Sequence, residues 1–391
     1  MALVTSLQTG ITKTIKCHQV SIPRECSLIK QNAYNTKIVS KIAIVLSAQH
    51  AIPHGGIGQF TKAISELLMS HGHEVHLLLD KRPTNQFLLS VAHRYFYNLN
   101  PERTIPGEDR HKQGLDHAKI KNFGSVLDLY EFQKYDIYLV NTSEAFDAIS
   151  SFQTAGKVIL YTHLFNQIYP EQAGKSVFTP EYVSHFNSFL FGVQIVGTQT
   201  EFNRQRLISQ GVKNCLVLPM PMPERDLLVS SQSCEKSGVL YIGTHSPGKN
   251  PATYISVMAK LKLPCKVMTS AKGKIKFEQN FKKAGITDYD IRVGITGKAK
   301  VDFIKSCRVS FNTSLLENYP FAFLECVGHM PVVVLDKQTW SDNFDPKFYY
   351  KVSKKEAVET IRALYQATYN DDALAYVNEL DKSALTAWSN I

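Results

Sequence analysis

The sequence contains no Cys-x-x-Cys pair. Its seven cysteines, at positions 17, 26, 215, 234, 265, 307 and 326, are scattered along the chain. That spacing argues against a zinc site or a disulfide framework and points to reduced thiols in a cytoplasm. No apolar run approaches the roughly 20 residues needed to cross a bilayer. The opening stretch, MALVTSLQTGITKTIKC, lacks a basic start followed by a continuous apolar segment, so no secretory signal is expected there. The fingerprint G-x-G-x-x-G is missing from the first glycine turn, which disfavours a nicotinamide-dependent dehydrogenase. Acidic residues are also short: 34 Asp and Glu against 44 Lys and Arg give a net charge of +10.

With 391 residues the chain is longer than one core usually requires, so two domains are expected. The positive charge is unevenly spread. Lys260 to Arg308 holds thirteen Lys and Arg against Glu278, Asp288, Asp290 and Asp302, and residues 1–41 hold six against Glu25. Such clusters are either solvated faces or footprints for a polyanion, whether nucleic acid or an anionic membrane surface.

Residues 1–40 read as an extension, with weak alternation at 12–16 and 19–22. The core begins at the buried strand Lys41–Leu46. A loop and the glycines Gly55, Gly56 and Gly58 follow, then a helical pattern (Ala63, Ile64, Leu67, Leu68) closed by Gly72, then a strand at Val75–Leu79. This is a βαβ unit whose glycines let backbone approach a ligand at a helix N-terminus. Residues 81–125 are polar and irregular. Strands at Asp136–Val140 and Lys157–Tyr161 come next, the second ending in Thr162-His163, and a His there sits at the ligand-bearing rim of an α/β sheet. Gln194–Thr198 is a strand into a helix capped by Thr198 or Thr200, and Cys215–Leu218 another strand. Pro219, Pro221 and Pro223 then mark a linker.

The second half opens with the strand Gly238–Ile242, the turn Gly243-Thr244 and Lys249, and a helix from about Pro251 to Leu261. Strands at Cys265–Thr269 and Asp290–Val293, with Gly294 after the latter, lead to a short helix at Val301–Ser306. The stretch Val309–Asp336 is the most informative: a strand, a polar loop, a helix from Pro320, and a strand at Val332–Leu335. Glu317 and Glu325 lie on the loop and helix, and both can face one ligand near the helix N-terminus. Asp288-Tyr289-Asp290 spells D-x-D, but its lysine-rich setting reads as a solvated turn, so no metal site is expected.

The E-x7-E spacing of Glu317 and Glu325, followed by Gly328 and Pro331-Val332-Val333, resembles the signature of retaining family 4 glycosyltransferases. The G-G-I-G turn with Gly72-His73-Glu74-Val75 is similar to their opening. Three departures stand out: Asn318 replaces the usual Gly after the first Glu, the Gly328 tail is one residue longer, and Thr244 replaces an Arg. The strand ending at His163 also resembles that of phage DNA glycosyltransferases. The resemblance implies the GT-B fold, an α/β architecture of two Rossmann-like domains facing a cleft. The boundaries expected are 1–40, 41–222, 223–370, and a helix at 371–391 crossing back.

It also implies a UDP-sugar donor with no required cofactor. Donor contacts fall to Gly56, Ile57, Gly58, Gly243, Thr244, Lys249, Gly294, Asn318, Tyr319, Pro320, Phe321 and Glu325, the last holding the ribose. Catalytic roles fall to His163, Lys249 and Glu317. The acceptor expected is a hydroxyl, 5-hydroxymethylcytosine in double-stranded phage DNA, taking glucose or arabinose in the host cytoplasm. The alternatives are an envelope-polysaccharide or lipid-linked transferase, reaching a membrane only peripherally, and a non-catalytic nucleotide-sugar-binding protein.

Overall fold

Two parallel sheets organise the chain. β1 (Lys41–Ser47), β2 (Glu74–Asp80), β3 (Lys119–Phe123), β4 (Ile137–Val140), β5 (Lys157–Tyr161), β6 (Ile195–Thr198) and β7 (Cys215–Val217) form the first, in the order β3-β2-β1-β4-β5-β6-β7. β8 (Val239–Ile242), β9 (Cys265–Thr269), β10 (Tyr289–Val293), β11 (Val309–Asn312), β12 (Val332–Leu335) and β13 (Tyr350–Val352) form the second, in the order β10-β9-β8-β11-β12-β13. This computed structural model describes residues 40–47, 56–80, 119–123, 135–141, 145–146, 156–163, 168, 180–225, 228, 235–367 and 372–391. The expected N-terminal extension lies outside them. The helices are α1 (Gly56–Ser70), α2 (Pro180–Gly192), α3 (Glu201–Ser209), α4 (Pro251–Leu261), α5 (Ala271–Lys283), α6 (Gly297–Lys305), α7 (Phe321–Val327), α8 (Ala357–Gln366) and α9 (Asp372–Trp388).

The strands are apolar on both faces because helices cover both. Ile42 and Ile44 of β1 join one cluster, and Ala43 and Val45 join the opposite one. β12 alternates likewise: Val332 and Val334 face one way, Val333 and Leu335 the other. The cluster holding Ile42 also contains Leu240, Phe323 and Leu324, so a single apolar core joins the two sheets.

Strand order places the ligand edge. In the first sheet it reverses between β1 and β4, in the second between β8 and β11. Ligands in such sheets bind in the crevice outside the carboxyl ends at that reversal.

Three elements differ from the sequence reading. β3 falls within the stretch read as irregular and pairs with β2 from His76 to Asp80. β13 is a short, largely exposed edge strand with little apolar pattern to reveal it. α6 begins four residues before Val301, at Gly297, whose amide donates to the Glu224 carboxylate at 2.6 Å. Among the described residues no helix is long and apolar enough to cross a membrane.

The last helix ties the chain together. Trp388 of α9 is 1% exposed and stands 5.9 Å from the rings of both Phe60 and Tyr161. Its indole donates to the Pro219 carbonyl at 2.7 Å. Asp381, also on α9, accepts from the Met222 amide at 2.9 Å and pairs with Arg225 at 2.9 Å. Replacing Trp388 with Ala is expected to cost about 3–5 kcal/mol of stability, the usual range for a buried aromatic. Chemical denaturation measures this, and an unchanged midpoint would show that α9 is not docked as described.

His329, in the turn after α7, gives a pH dependence. Burial, with Lys305 and Lys236 nearby, lowers its pKa to about 4. The folded chain therefore keeps it neutral where the unfolded chain, at about 6.5, takes up a proton. Its contribution is fully present above about pH 6.5 and is lost as pH falls towards 4. His329→Asn should flatten the denaturation midpoint across that window relative to the parent.

Candidate functional site

Two loops leaving the carboxyl ends of β8 and β11 are stitched to each other. The first runs from Gly243 through a 3-10 turn, Pro247–Lys249, to α4. The Lys249 stem lies against this turn, its Cγ and Cδ 3.5 Å from where a Cβ on Gly243 would stand, an ordinary contact. The Leu315 amide donates to the Gly248 carbonyl at 2.7 Å, and the Thr313 hydroxyl to the carbonyls of Lys249 and Asn250 at 2.9 and 3.0 Å. Tyr241 braces the first loop, its hydroxyl donating to the carbonyls of Thr244 and Lys249. Burial, reinforced by the Glu317 carboxylate, raises its pKa and keeps the phenol a donor. The buried Trp340 indole holds the second loop through the Ser314 carbonyl at 3.0 Å.

These braces present Lys249 and Glu317 as a pair. The ammonium contacts the carboxylate, which also accepts from the Ser314 hydroxyl at 2.6 Å. The side chains are 31% and 14% exposed, so both remain reachable. Thr244 is exposed, its hydroxyl within 3.1 Å of Ser246, and it supplies no charge. Lys249 is therefore the cation that these two loops present.

Glu325 differs from its expected setting. It is 3% exposed on the inner face of α7, paired with Lys300 of α6, itself 8% exposed. Burial pulls the Lys300 ammonium down, but the Glu325 and Glu224 carboxylates outweigh it and its pKa is raised. A carboxylate so engaged presents no free oxygen pair to a ribose unless the pair rearranges. Lys300, counted in the sequence with the basic excess, proves to be interior. Removing either partner strands the other charge, which typically costs about 3–5 kcal/mol.

The remaining expected residues sort clearly. Gly56, Ile57 and Gly58 are the first turn of α1 itself, not a loop before it. Tyr319 is 9% exposed and packs its ring on Phe344 at 5.6 Å. Pro320 caps α7 through its carbonyl and accepts from the Phe323 amide at 3.0 Å, while Phe321 packs partly against the core. Gly294, with φ +60, turns the chain after β10 in the open. Asp290 of the D-x-D triplet is engaged by Arg292 at 2.8 Å. Among the described residues no three His, Cys, Asp or Glu gather as a metal site.

His163, past the end of β5, is half-buried between Phe60 of α1 (4.8 Å) and Tyr161 (4.7 Å). The two sheets meet beside it. Asn318, next to Glu317, donates to the Thr162 carbonyl at 2.9 Å and accepts from Asn203 at 2.8 Å. Gln199 donates to the same carbonyl. Thus His163 and Glu317 flank one polar junction. Gln199 and Asn203 were not foreseen: in the sequence they are ordinary polar residues at a helix start.

No family model matches the chain, and no curated protein is similar to it in sequence. Solved structures do match in fold. HepE of Anabaena, solved with UDP and glucose, is 14% identical with a TM-score of 0.65, over 90% of this chain and 100% of that one. Sucrose-phosphate synthase of Thermosynechococcus elongatus is 11% identical with a TM-score of 0.59, over 90% and 94%. AviGT4, a glycosyltransferase involved in avilamycin A biosynthesis, is 13% identical with a TM-score of 0.57, over 89% and 97%. The fold is that of GT-B glycosyltransferases: two Rossmann-like units facing a cleft.

Proposed function

We propose that the chain is a retaining glycosyltransferase that moves a sugar from a UDP-sugar to a hydroxyl acceptor. The carrying observation is the Lys249–Glu317 pair, held between the β8 and β11 loops at the strand-order reversal. In this reading Lys249 neutralises the diphosphate as it departs, where negative charge develops. Glu317 takes the sugar hydroxyls, and the amides opening α1 approach the phosphates from the other wall. His163 lies beside the donor sugar and the acceptor. HepE was solved with UDP and glucose, which supports the donor class. Glu325 reaches a ribose only by giving up part of its contact with Lys300.

The finer reading takes DNA carrying 5-hydroxymethylcytosine as the acceptor, in a phage-infected host. Its support is charge. Of the thirteen bases between Lys260 and Arg308, Lys300 and Lys305 are buried, while Lys266 and Arg308 are bound to Ser306 and Tyr365. The other nine are exposed, five of them on α5: Lys272, Lys274, Lys276, Lys282 and Lys283. Three of the nine face carboxylates, in the pairs Lys274–Glu278, Arg292–Asp290 and Lys298–Asp302, which trims the field.

Lys249→Ala is expected to slow UDP release from the donor by about a hundredfold or more, the usual loss for one preorganised charge-stabilising group. Near-normal turnover in the folded variant would remove the assignment, and absence of any UDP release in the parent would favour a binding protein. For the acceptor, duplex DNA with 5-hydroxymethylcytosine is incubated with UDP-glucose and other UDP-sugars, and the digested nucleosides are weighed. A sugar adduct, with binding that weakens steeply as salt rises, is expected. No adduct and salt-insensitive binding would redirect the search to polysaccharide or lipid-linked acceptors.

A further inference from the structure

The junction beside His163 is built entirely from neutral amides and hydroxyls. Thr162, Gln199, Asn203 and Asn318 are 0%, 1%, 0% and 5% exposed. Asn203 splits its amide between Asn318 (2.8 Å) and Gln199 (3.2 Å), and the Thr162 hydroxyl donates to the Gly197 carbonyl at 3.1 Å. Thr200, the cap of α3, donates across the same boundary to Asn343 at 2.6 Å. Both polar ends of Asn318 are thus engaged by the first unit, one residue from Glu317. Its carbonyl partner, Thr162, is one residue from His163.

We propose that Asn318 is a positioning residue, a latch between the two units that sets His163 and Glu317 on facing walls of one site. The roles of those two residues rest on the transferase reading; the latch itself rests on geometry. Two neutral hydrogen bonds suit a reversible device. Each shifts an equilibrium by roughly two- to tenfold. When the cleft opens, water takes over every donor and acceptor, so no charge is stranded. Closure also excludes water from the departing diphosphate and completes the site only when both walls are present. Within the second unit the Glu317 loop is already braced by Trp340 and Ser314, so Asn318 acts on where that loop sits against the first unit.

The test uses the full chain with Asn318→Ala, Asn203→Ala and both together, each checked for folding by thermal melting. Hydrogen exchange followed by mass spectrometry is expected to rise in peptides covering both 159–163 and 316–320, whichever side carries the substitution. The double variant should show little beyond either single one, the mark of partners in one interaction. UDP release from UDP-glucose should fall about tenfold in kcat with donor KM moving less than twofold. Asn318→Asp, equal in shape but unable to donate to the Thr162 carbonyl, should not rescue. Exchange confined to the substituted side, or additive effects, would overturn the latch. A donor KM rising as steeply as kcat falls would make Asn318 a donor contact instead. A parent that releases no UDP from any UDP-sugar defeats the transferase reading, and the exchange result still judges the latch.

Discussion

Parallel strand pairing is the constraint from which the site follows. Among the described residues every strand pairing in both sheets is parallel, so within each sheet the strands point their carboxyl ends to one edge and successive strands are joined by crossovers. Loops leaving that edge are the places where side chains escape the ladder. Lys249 follows β8, Glu317 follows β11, His163 follows β5, and the opening turn of α1 follows β1. None of these residues is close in sequence to more than one of the others, and the sheet order gathers them.

Much of this was legible because buried parallel strands are written as continuous apolar runs. Lys41–Leu46, Lys157–Tyr161 and Val332–Leu335 could be read directly, and α4 was found at Pro251–Leu261. β3 and β13 were missed: both are edge strands, like β7 and β10, and their sequences KIKNF and YKV hold no run of adjacent apolar residues. The resemblance named Lys249 and Glu317 separately and did not foresee that they pair. No pattern in the sequence couples residues 68 positions apart.

Charge was the property the sequence disclosed least well. A lysine reads the same whether it sits on α5 in water or under α7 against Glu325. The difference is made by tertiary neighbours: Lys300 lies on the helix face turned to the core with Val301 and Ile304, whereas Lys298 faces solvent and Asp302. A count of bases therefore overstates what a polyanion can meet. Likewise Asn318, taken as a donor contact, could not reveal that Asn203 lies opposite, because their encounter spans both units.

The docking of Trp388 against Phe60 and Pro219 also bears on synthesis. The first sheet and its helices leave the ribosome long before residue 388 does. Until then the pocket around Phe60 and Tyr161 lacks its largest aromatic plug. Chains generally fold N-terminal parts first as they emerge. Here the earlier half can become compact but reaches its final packing only when Trp388 arrives. The nascent chain thus carries an unfinished apolar surface until α9 has been made.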